Sequence, residues 1–445
     1  MRHYELAGVV AIALALRLLF LIFWPPGLIA DAWDYDRLAR SLVEGRGYTN
    51  TRGELTSWRP PVYPAFVAGV YLLTEGSLQA VRLLQIVLDV GTVILTSQIA
   101  KWLFGPVPGF VAGLLIALNL GTAAAPSWIA SETLFTFLLV AGVAVSIAWL
   151  RAIEDGLVHA AVARGIGTAA LLAAGALTRG VLLLYPLVLV VLGAVSVRPR
   201  RSASARDPMV SQRRRTALAG CLALASVFVL ILTPWSVRNY RVHHAFIPVA
   251  TQLGLTLYGS YKPVQGWIFG NHPHDEITAA AERLPESKAN AFLTRAAIDS
   301  IRASPLKVLK LEILKTLYFW VPLDWEVLPF YGVFNPTYAF IAVWAFLYLV
   351  LSSWRDGLVA TGAVWLPILY LFVMALLFYG SPRFRLPAEP FLAVLAAAQL
   401  VALPQTVGRR MAAAIVGVTV VLVLAVPAFA GPLKHLVKIW IIGAV

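Results

Sequence analysis

Residues 29–39 read IADAWDYDRLA and follow directly on the first long apolar run, residues 6–24. A run of that length can cross a bilayer, since a spanning helix needs roughly 20 residues. A second polar cluster, WRPPVYP at residues 58–64, lies further along the same loop. The carboxylates and Arg59 are therefore expected at a membrane face. A base and a cation held beside lipid suit chemistry on a lipid-linked phosphate.

The composition is that of a membrane protein. Of the 445 residues, 60% are hydrophobic and 13% are charged, whereas a soluble domain carries about 25% charged residues. The net charge of +14 does not indicate nucleic-acid binding, because the basic residues lie mostly in short links between apolar runs. Residues 6–24 are long for a signal core and lack a small-residue cleavage site, so we expect a signal anchor. Cys221 is the only cysteine, which excludes an internal disulfide.

The apolar runs predict an all-α polytopic membrane protein with about eleven transmembrane helices. Two pairs of runs have very short connections, which is typical of helical hairpins. The runs are residues 6–24, 80–100, 107–127, 133–150, 164–178, 180–197, 216–233, 337–354, 357–378, 388–404 and 411–430.

Arginines in the short links predict the orientation of these helices, because basic links face the cytoplasm. The link at residues 198–215 contains seven arginines. Other basic links on the same side contain Arg151, Arg164, Arg355, Arg409 and Arg410. This places the links and the N-terminus inside, and it places outside the segments 25–79, 128–132, 234–336 and 380–385.

Two further segments would change this orientation if they crossed. Residues 62–74 are apolar but too short to span, so we expect a helix at the interface. Residues 305–322 alternate lysines with leucines, a pattern typical of an amphipathic helix lying on a membrane. We expect neither to cross. The predicted regions are an N-terminal catalytic module (1–233, with the first outer loop at 25–79), an outer-face region that forms a small cap (234–336), and C-terminal transmembrane helices (337–445).

Polar side chains gather at the predicted outer face. Charges at a membrane edge are costly, which makes them functional candidates by default. Arginine is also the side chain best suited to bind phosphate through two parallel hydrogen bonds. The candidates are Asp31, Asp34 and Asp36 in the first cluster, Arg59 in the second, Ser131-Glu132 at the start of the fourth run, and Arg383, Arg385 and Glu389 at the last short turn.

Each candidate also has a structural explanation. Asp34 and Asp36 could be solvated on an amphipathic helix or complement its dipole, which we favour for both. Glu132 could act only as a first-turn carboxylate. Arg383 and Arg385 could extend to lipid headgroups.

Other polar positions carry weaker signals. Arg82 and Asp89 lie on one helix face and are better suited to joining helices than to catalysis. Arg179, between two short runs, is equally suited to bind phosphate or to anchor in lipid. Residues 271–276, NHPHDE, include groups that can ligate a metal, but we favour a polar loop. The sequence contains no P-loop, Rossmann fingerprint, zinc-protease helix or serine-hydrolase elbow.

Taken together, these motifs resemble those of the GT-C membrane glycosyltransferases. The nearest branch contains the dolichyl-phosphate-mannose protein mannosyltransferases and the bacterial aminoarabinose transferase of lipid A. Asp31 and Tyr35 match the family's first outer loop, where Ala32 replaces a second acidic residue. The other matching elements are Arg59-Pro60-Pro61, Glu132, PWSVRNY at 234–240, GLTLY at 254–258 and RFRLP at 383–387.

The resemblance implies a GT-C-like fold and a glycosyltransferase of the plasma (inner) membrane with its site at the outer face. It would move one hexose or pentose from a polyprenyl-phosphate carrier to a hydroxyl of a lipid, glycan or protein acceptor. Its other partners would be membrane lipids, with no nucleic acid. Asp31 would be the catalytic base, no cofactor would be required, and a divalent cation would be optional. The implied substrate-binding residues are Asp34, Tyr35, Arg59, Glu132, Tyr258, Arg383 and Arg385.

The residue types fit that chemistry. A sugar phosphodiester already has a stabilised leaving group, so one carboxylate that takes the acceptor proton is enough. A single displacement inverts the anomeric centre, unlike retaining enzymes with paired carboxylates. The competing hypothesis is a transporter or flippase of lipid-linked saccharides, which would place charges along a central cavity between repeated halves. A third is an outer-face glycan ligase.

Overall fold

The computed structural model describes residues 3–28, 30–197, 208–262, 275–322, 334–352 and 358–442. These residues are almost entirely helical and contain no extended strand, so the predicted all-α polytopic class is confirmed. The helices are α1 (His3–Phe23), α2 (Asp31–Val43), α3 (Val62–Thr74), α4 (Leu78–Phe104), α5 (Pro106–Ala117), α6 (Leu120–Ala124), α7 (Glu132–Glu154), α8 (Val158–Thr178), α9 (Tyr185–Ser196), α10 (Pro208–His243), α11 (Leu253–Tyr261), α12 (Glu276–Glu282), α13 (Glu286–Ala303), α14 (Pro305–Trp320), α15 (Pro336–Leu351), α16 (Leu358–Leu377), α17 (Pro382–Arg385), α18 (Glu389–Val407) and α19 (Arg409–Ile442), with 3-10 turns at Ala125–Ser127, Gly180–Leu182 and Leu386–Ala388.

Within the described ranges, seven helices are long and apolar enough to cross a membrane. An eighth crossing results if α5 and the segment Leu120–Ser127, bent by 57° relative to each other, form one broken span. The segments Gly180–Ser196, Pro336–Leu351 and Thr361–Leu377 are shorter apolar helices. Each predicted run thus contains a helix, while the number of eleven crossings stays a prediction.

A buried ion pair stabilises the break after α5. The guanidinium of Arg17 on α1 donates to Asp89 on α4 at 2.6 Å. It also donates to the carbonyl oxygens of Ile116 and Ala117 at 3.2 and 2.6 Å. Carbonyls at a helix end lack intrahelical partners, so Arg17 satisfies them and Asp89 balances its charge. Asp89 therefore joins helices, as expected from the sequence.

Close helix packing builds the membrane core. Gly165 of α8 lies so near α10 that an added Cβ would sit 2.8 Å from the Gly220 carbonyl oxygen. Small residues at such crossings let membrane helices approach, which is their main source of packing energy in lipid. The indole of Trp149 on α7 is fully buried beside this crossing. These contacts fix α7, whose first residue is Glu132.

Helix α10 extends past the expected region boundary at residue 234. Helix α10 has 36 residues and continues through Pro234 to His243. At 1.5 Å per residue it is roughly 54 Å long, whereas a hydrocarbon core is about 30 Å thick. It therefore projects past the core, and the expected region boundary at residue 234 falls inside a continuous helix.

Helices α11 to α13 form a small unit at that end, which fits the expected cap. Gly254 of α11 donates its backbone N–H to Asn290 of α13 at 2.6 Å. Helix α14 follows, with Leu311, Lys315 and Phe319 buried while Leu306 and Leu309 are exposed. A helix is therefore present where one was expected, and its amphipathic position on a membrane stays a prediction.

Candidate active site

Asp31 and Asp34 lie in the first turn of α2, where the helix dipole favours negative charge. Arg59, from the loop before α3, joins them. Its Nη2 donates to Asp31 Oδ1 at 2.6 Å and to Asp34 Oδ2 at 2.8 Å, and its Nε donates to Asp34 Oδ2 at 3.1 Å. The predicted first and second clusters are therefore one ion-pair network. Asp34 is part of it as well as lying in the first turn of α2, so it complements the helix dipole, as one of the two favoured explanations expected, and is not merely solvated.

Two further side chains hold the Arg59 guanidinium. The Tyr35 ring lies under it, with 5.2 Å between the guanidinium carbon and the ring centroid. The side-chain oxygen of Gln252 accepts from Arg59 Nη1 at 3.0 Å in the amide orientation that satisfies both groups. Gln252 directly precedes α11, so the outer unit reaches the site through this residue.

Arg383 closes the cluster from the other end of the chain. It lies in α17, whose first turn is capped by Ser381, with the Arg383 backbone N–H donating to Ser381 Oγ at 3.3 Å. Its Nη2 donates to Asp31 Oδ2 at 2.7 Å, and its Nε donates to Glu132 Oε1. One guanidinium therefore spans two carboxylates.

Glu132 begins α7 and is buried, with 6% of its side chain exposed. Its Oε1 accepts from Arg179 as well as from Arg383. The hydroxyl of Ser131 accepts from Arg179 Nη1 and from the Tyr35 hydroxyl, each at 3.2 Å. Arg179 follows the last residue of α8, so α7 and α8 together supply this corner of the site.

An open cleft lies against the cluster. Its polar lining comes from Asp31, Glu132 and Arg383. The rest of the lining is Ala30, Ala32, Ala125, Trp128, Ile129, Ala130 and Leu386. Charged groups on one wall and small apolar groups around them suit a ligand with both a charged and an apolar part.

Charge is balanced within the cluster, because three carboxylates face three guanidiniums: Asp31, Asp34 and Glu132 with Arg59, Arg179 and Arg383. Burial would raise the pKa of Asp31, but the guanidiniums of Arg383 and Arg59 outweigh it and hold that pKa well below its ordinary value. Burial would lower the pKa of Arg59, but Asp31, Tyr35 and Asp34 together outweigh burial and raise that pKa. Asp31 is therefore ionised at neutral pH.

Arg385 lies apart from this network. Its side chain is fully buried and pairs with the fully buried Glu389, with Nε at 2.9 Å from Glu389 Oε1. Its Nη1 donates to the carbonyl oxygens of Phe319 and Val321 at 2.9 and 2.7 Å, and its guanidinium stacks on Tyr338. The structure thus places Arg385 among helix ends and not in the cleft with Arg383.

Two other candidates also lie elsewhere. Tyr258 is buried in the outer unit, where its hydroxyl donates to Asp275 Oδ2 at 2.9 Å. Asp36 is buried rather than solvated, which corrects our expectation. It accepts from the Tyr71 hydroxyl at 2.5 Å and from Arg40 Nε at 2.9 Å.

The remaining members of the network carry only weak signals in the sequence. Arg179 was ambiguous between phosphate ligand and lipid anchor, and nothing in the pattern singled out Gln252. The network draws on all three predicted regions, since Gln252 comes from residues 234–336 and Arg383 from residues 337–445. The metal-capable residues 271–274 and Arg355 lie outside the described residues.

No family model matches the chain, and no curated protein matches it in sequence. Solved structures do match. The Archaeoglobus fulgidus oligosaccharyltransferase in its apo form is similar with a TM-score of 0.56 at 12% identity, over 95% of this chain and 54% of that chain. The same protein, AglB, with an inhibitory peptide and a dolichol-phosphate gives a TM-score of 0.50 at 12% identity, over 95% and 55%. The chain has the GT-C fold.

ArnT from Cupriavidus metallidurans bound to undecaprenyl phosphate is also similar, with a TM-score of 0.43 at 14% identity, over 90% of this chain and 78% of that chain. The GT-C fold confirms, at the level of architecture, the resemblance drawn from the motifs. The chain spans about half the length of the oligosaccharyltransferase that it matches.

Two carboxylates of the site, Asp31 and Glu132, are joined by an arginine. A structure of the oligosaccharyltransferase contains Zn and sulfate. Here Asp31 and Glu132 both accept from Arg383, so a guanidinium occupies the position between them. No group of three or more His, Cys, Asp or Glu side chains that could hold a metal forms among the residues that the structure describes. This donor set fits an arginine clamp.

Proposed function

We propose that this chain is an inverting glycosyltransferase that moves one sugar from a polyprenyl-phosphate carrier to an acceptor hydroxyl at the outer face of the plasma membrane. The GT-C fold supports the glycosyltransferase class. AglB is described with a dolichol-phosphate and with an acceptor peptide, and ArnT with undecaprenyl phosphate. A lipid-linked donor is the feature that these neighbours share.

The observation that carries the proposal is the position of Asp31 between Arg59 and Arg383. Asp31 Oδ1 accepts from Arg59 Nη2 at 2.6 Å, and Asp31 Oδ2 accepts from Arg383 Nη2 at 2.7 Å. The arrangement lies just beyond the end of α1 and borders the cleft with the small apolar lining. A lipid phosphate needs cations at the membrane edge, and its prenyl chain needs apolar surface directly beside them.

The reaction is a single displacement at the anomeric carbon. The acceptor oxygen attacks that carbon while Asp31 takes its proton. The bond between the anomeric carbon and the phosphate oxygen breaks, and its electron pair leaves with the polyprenyl phosphate. Arg383 and Arg59 bind the departing phosphate and offset its growing charge. Attack opposite to the leaving group inverts the anomeric configuration.

Arg59 and Arg383 contact the base Asp31 and also bind the leaving phosphate. They therefore couple proton transfer to Asp31 with departure of the phosphate. While they contact Asp31 they keep its pKa low, which makes it a weak base. As negative charge grows on the phosphate, the guanidiniums turn toward it and release Asp31. Its proton affinity then rises as the acceptor hydroxyl loses its proton. Arg179 holds Glu132, which in turn orients Arg383.

The donor class is tested with purified protein and a panel of polyprenyl-phosphate hexoses and pentoses. We expect one of them to release polyprenyl phosphate in the presence of an acceptor, detected by mass spectrometry. The anomeric configuration of the product, assigned by NMR, tests inversion. A complete panel without released carrier would reject the donor class.

The outer-face location is tested by cysteine labelling. The arginine-rich link at residues 198–215 supports a cytoplasmic side opposite the site. After Cys221→Ser removes the native thiol, single cysteines at positions 52 and 204 should react with an impermeant reagent from opposite sides. Labelling of both positions from one side would reject this orientation.

A second candidate is transfer of a whole glycan from a polyprenyl diphosphate, because the best TM-scores given above belong to an oligosaccharyltransferase. The same mass spectrometry distinguishes it, since the released carrier would be a diphosphate. A flippase would release neither product. Its charges should also line a central cavity, whereas the three carboxylates and three arginines of the site lie together at helix ends and in the adjoining loops.

A further inference from the structure

The two carboxylate oxygens of Glu132 have very different surroundings. Oε1 accepts from both Arg179 and Arg383. Oε2 is buried and has no hydrogen-bond partner among the residues that the structure describes. Ion pairing at Oε1 keeps the Glu132 carboxylate ionised. Oε2 therefore carries part of the negative charge but accepts no hydrogen bond from the described residues.

A buried carboxylate oxygen that accepts no hydrogen bond is unusual. Nearly all buried polar atoms have a partner, and leaving one unpaired is destabilising, more so when it is charged. Glu132 lines the cleft together with Asp31 and Arg383. Oε2 itself is covered, so a ligand in that cleft can supply the missing donor once Arg383 turns toward the phosphate, as in the mechanism above.

We propose that Glu132 Oε2 accepts a hydrogen bond from a ring hydroxyl of the donor sugar. This rests on the function proposed above and adds a sugar contact that selects among donors. Arg383 brings the donor phosphate close to Glu132. It binds the phosphate in that mechanism, and its Nε donates to Glu132. The sugar is bonded directly to that phosphate, so its ring lies next to the same guanidinium.

The hydroxyl is selected because a site built to receive a hydrogen-bond donor rejects an analogue that lacks it. Loss of the hydroxyl leaves the charged oxygen unpaired again, whereas an apolar wall would discriminate only weakly. Alanines and Ile129 form much of the remaining lining and cannot replace the interaction. Glu132 thereby becomes a specificity-determining residue for the donor.

The test compares the accepted polyprenyl-phosphate sugar with its single-deoxy analogues, using wild-type protein and Glu132→Gln. Gln has nearly the same shape, but its amide can offer an N–H where Oε2 accepts. We expect one deoxy analogue to lower kcat/KM of the wild type about 10- to 100-fold, which corresponds to a hydrogen bond to a charged group. For Glu132→Gln the ratio of parent to that analogue should fall to within about threefold.

Glu154→Gln is the matched control, because it makes the same change on an exposed carboxylate at the other end of α7. It should keep the wild-type ratios for all analogues. If Glu132→Gln folds poorly, binding of the parent and deoxy donors to wild-type protein gives the same comparison. The proposal is overturned if no deoxy position matters, or if the penalty persists in Glu132→Gln. Absence of transfer from every lipid-linked sugar would instead reject the proposed function.

Discussion

Arg383 donates to Asp31 at 2.7 Å although the two residues lie 352 positions apart in the chain. The same guanidinium donates to Glu132 at the start of α7. A single side chain therefore links the end of the first predicted span, the start of the fourth and the last short turn. Any group that draws Arg383 away from Asp31 also changes the proton affinity of the carboxylate.

Arg383→Ala should weaken donor binding strongly. The guanidinium is only partly buried, with 24% of its side chain exposed, and it faces the cleft. A hydrogen bond to a charged group contributes about 1.5–3 kcal/mol, which corresponds to roughly a 10- to 150-fold increase in Kd. Arg383→Lys should recover part of this, because it restores the charge without the planar fork. Equilibrium binding of a polyprenyl-phosphate sugar measures both variants.

Arg52→Ala is the control for that measurement, since it removes an exposed arginine from the same outer loop that carries Arg59. It should bind the donor as the wild type does. Unchanged affinity in Arg383→Ala would assign Arg383 to holding Asp31 and Glu132 in place and not to the phosphate.

Arg385→Ala should lower stability instead of donor affinity in the folded protein. Breaking a buried ion pair leaves the partner charge uncompensated, which costs about 3–5 kcal/mol. Here that partner is Glu389, which is fully buried. Replacing both residues by apolar ones, Arg385→Met with Glu389→Leu, should recover much of the loss. Thermal unfolding in detergent measures each variant, and a wild-type melting temperature for Arg385→Ala would contradict the structural role.

The helices could be predicted from the sequence because lipid imposes a strong rule. A long apolar run must satisfy its backbone internally, so length and composition suffice to place it. The rule does not tell how far a helix continues beyond its apolar run. The apolar run ends at residue 233, but α10 continues to His243. The rule also did not predict the 57° bend within residues 107–127, where Arg17 on a different helix donates to the Ala117 carbonyl.

The site was predictable only in part, because charge alone does not tell where a side chain points. Arg383 and Arg385 are two residues apart in one turn and looked equivalent. One reaches Asp31, while the other packs against Glu389. Gln252 carries no charge and joins through a contact with Arg59 that only folding creates. Local patterns identified the membrane-edge charges, and long-range packing selected among them.

The rate should be insensitive to acid over a wide range. Burial would raise the pKa of Asp31, but Arg383 and Arg59 outweigh it and depress that pKa below the value of about 3.9 that it has in an unfolded chain. The base therefore stays ionised between pH 8 and about pH 5. Steady-state rates across that range, with stability verified at each pH, should show no loss attributable to this group.

The same shift predicts a stability difference with a defined sign. A depressed pKa means that the folded state favours the ionised form, so Asp31 contributes stability above its unfolded pKa of about 3.9. That contribution is lost as pH falls through the lower folded value. Wild type should melt above Asp31→Asn at pH 6, and the gap should narrow below about pH 4. A gap that grows with acid would contradict the assigned direction.

Removing divalent cations should leave the rate unchanged. Arg383 occupies the position between Asp31 and Glu132 that a shared cation would need. After dialysis against EDTA, activity should stay within about twofold, and added Mg²⁺, Mn²⁺ or Zn²⁺ should not raise it further. Loss of activity that a metal restores would show that the arginine clamp opens to admit an ion.

Asp31→Asn should abolish most turnover without weakening donor binding. Asn keeps the shape of the side chain but cannot accept the acceptor proton, so kcat should fall about 10²-fold or more. The change also frees Arg59 and Arg383 from a carboxylate. Both guanidiniums then meet the donor phosphate without that competitor, so the donor Kd should stay equal or decrease.

Asp34→Asn is the matched control, because Asp34 contacts the same Arg59 but does not line the cleft. It should reduce turnover much less. Single-turnover rates together with donor binding separate the two roles, since a merely structural loss would weaken both. If Asp31→Asn transfers sugar at a near wild-type rate, the base must be another carboxylate. Glu132 would then be the candidate, because its Oε2 accepts no hydrogen bond from the described residues.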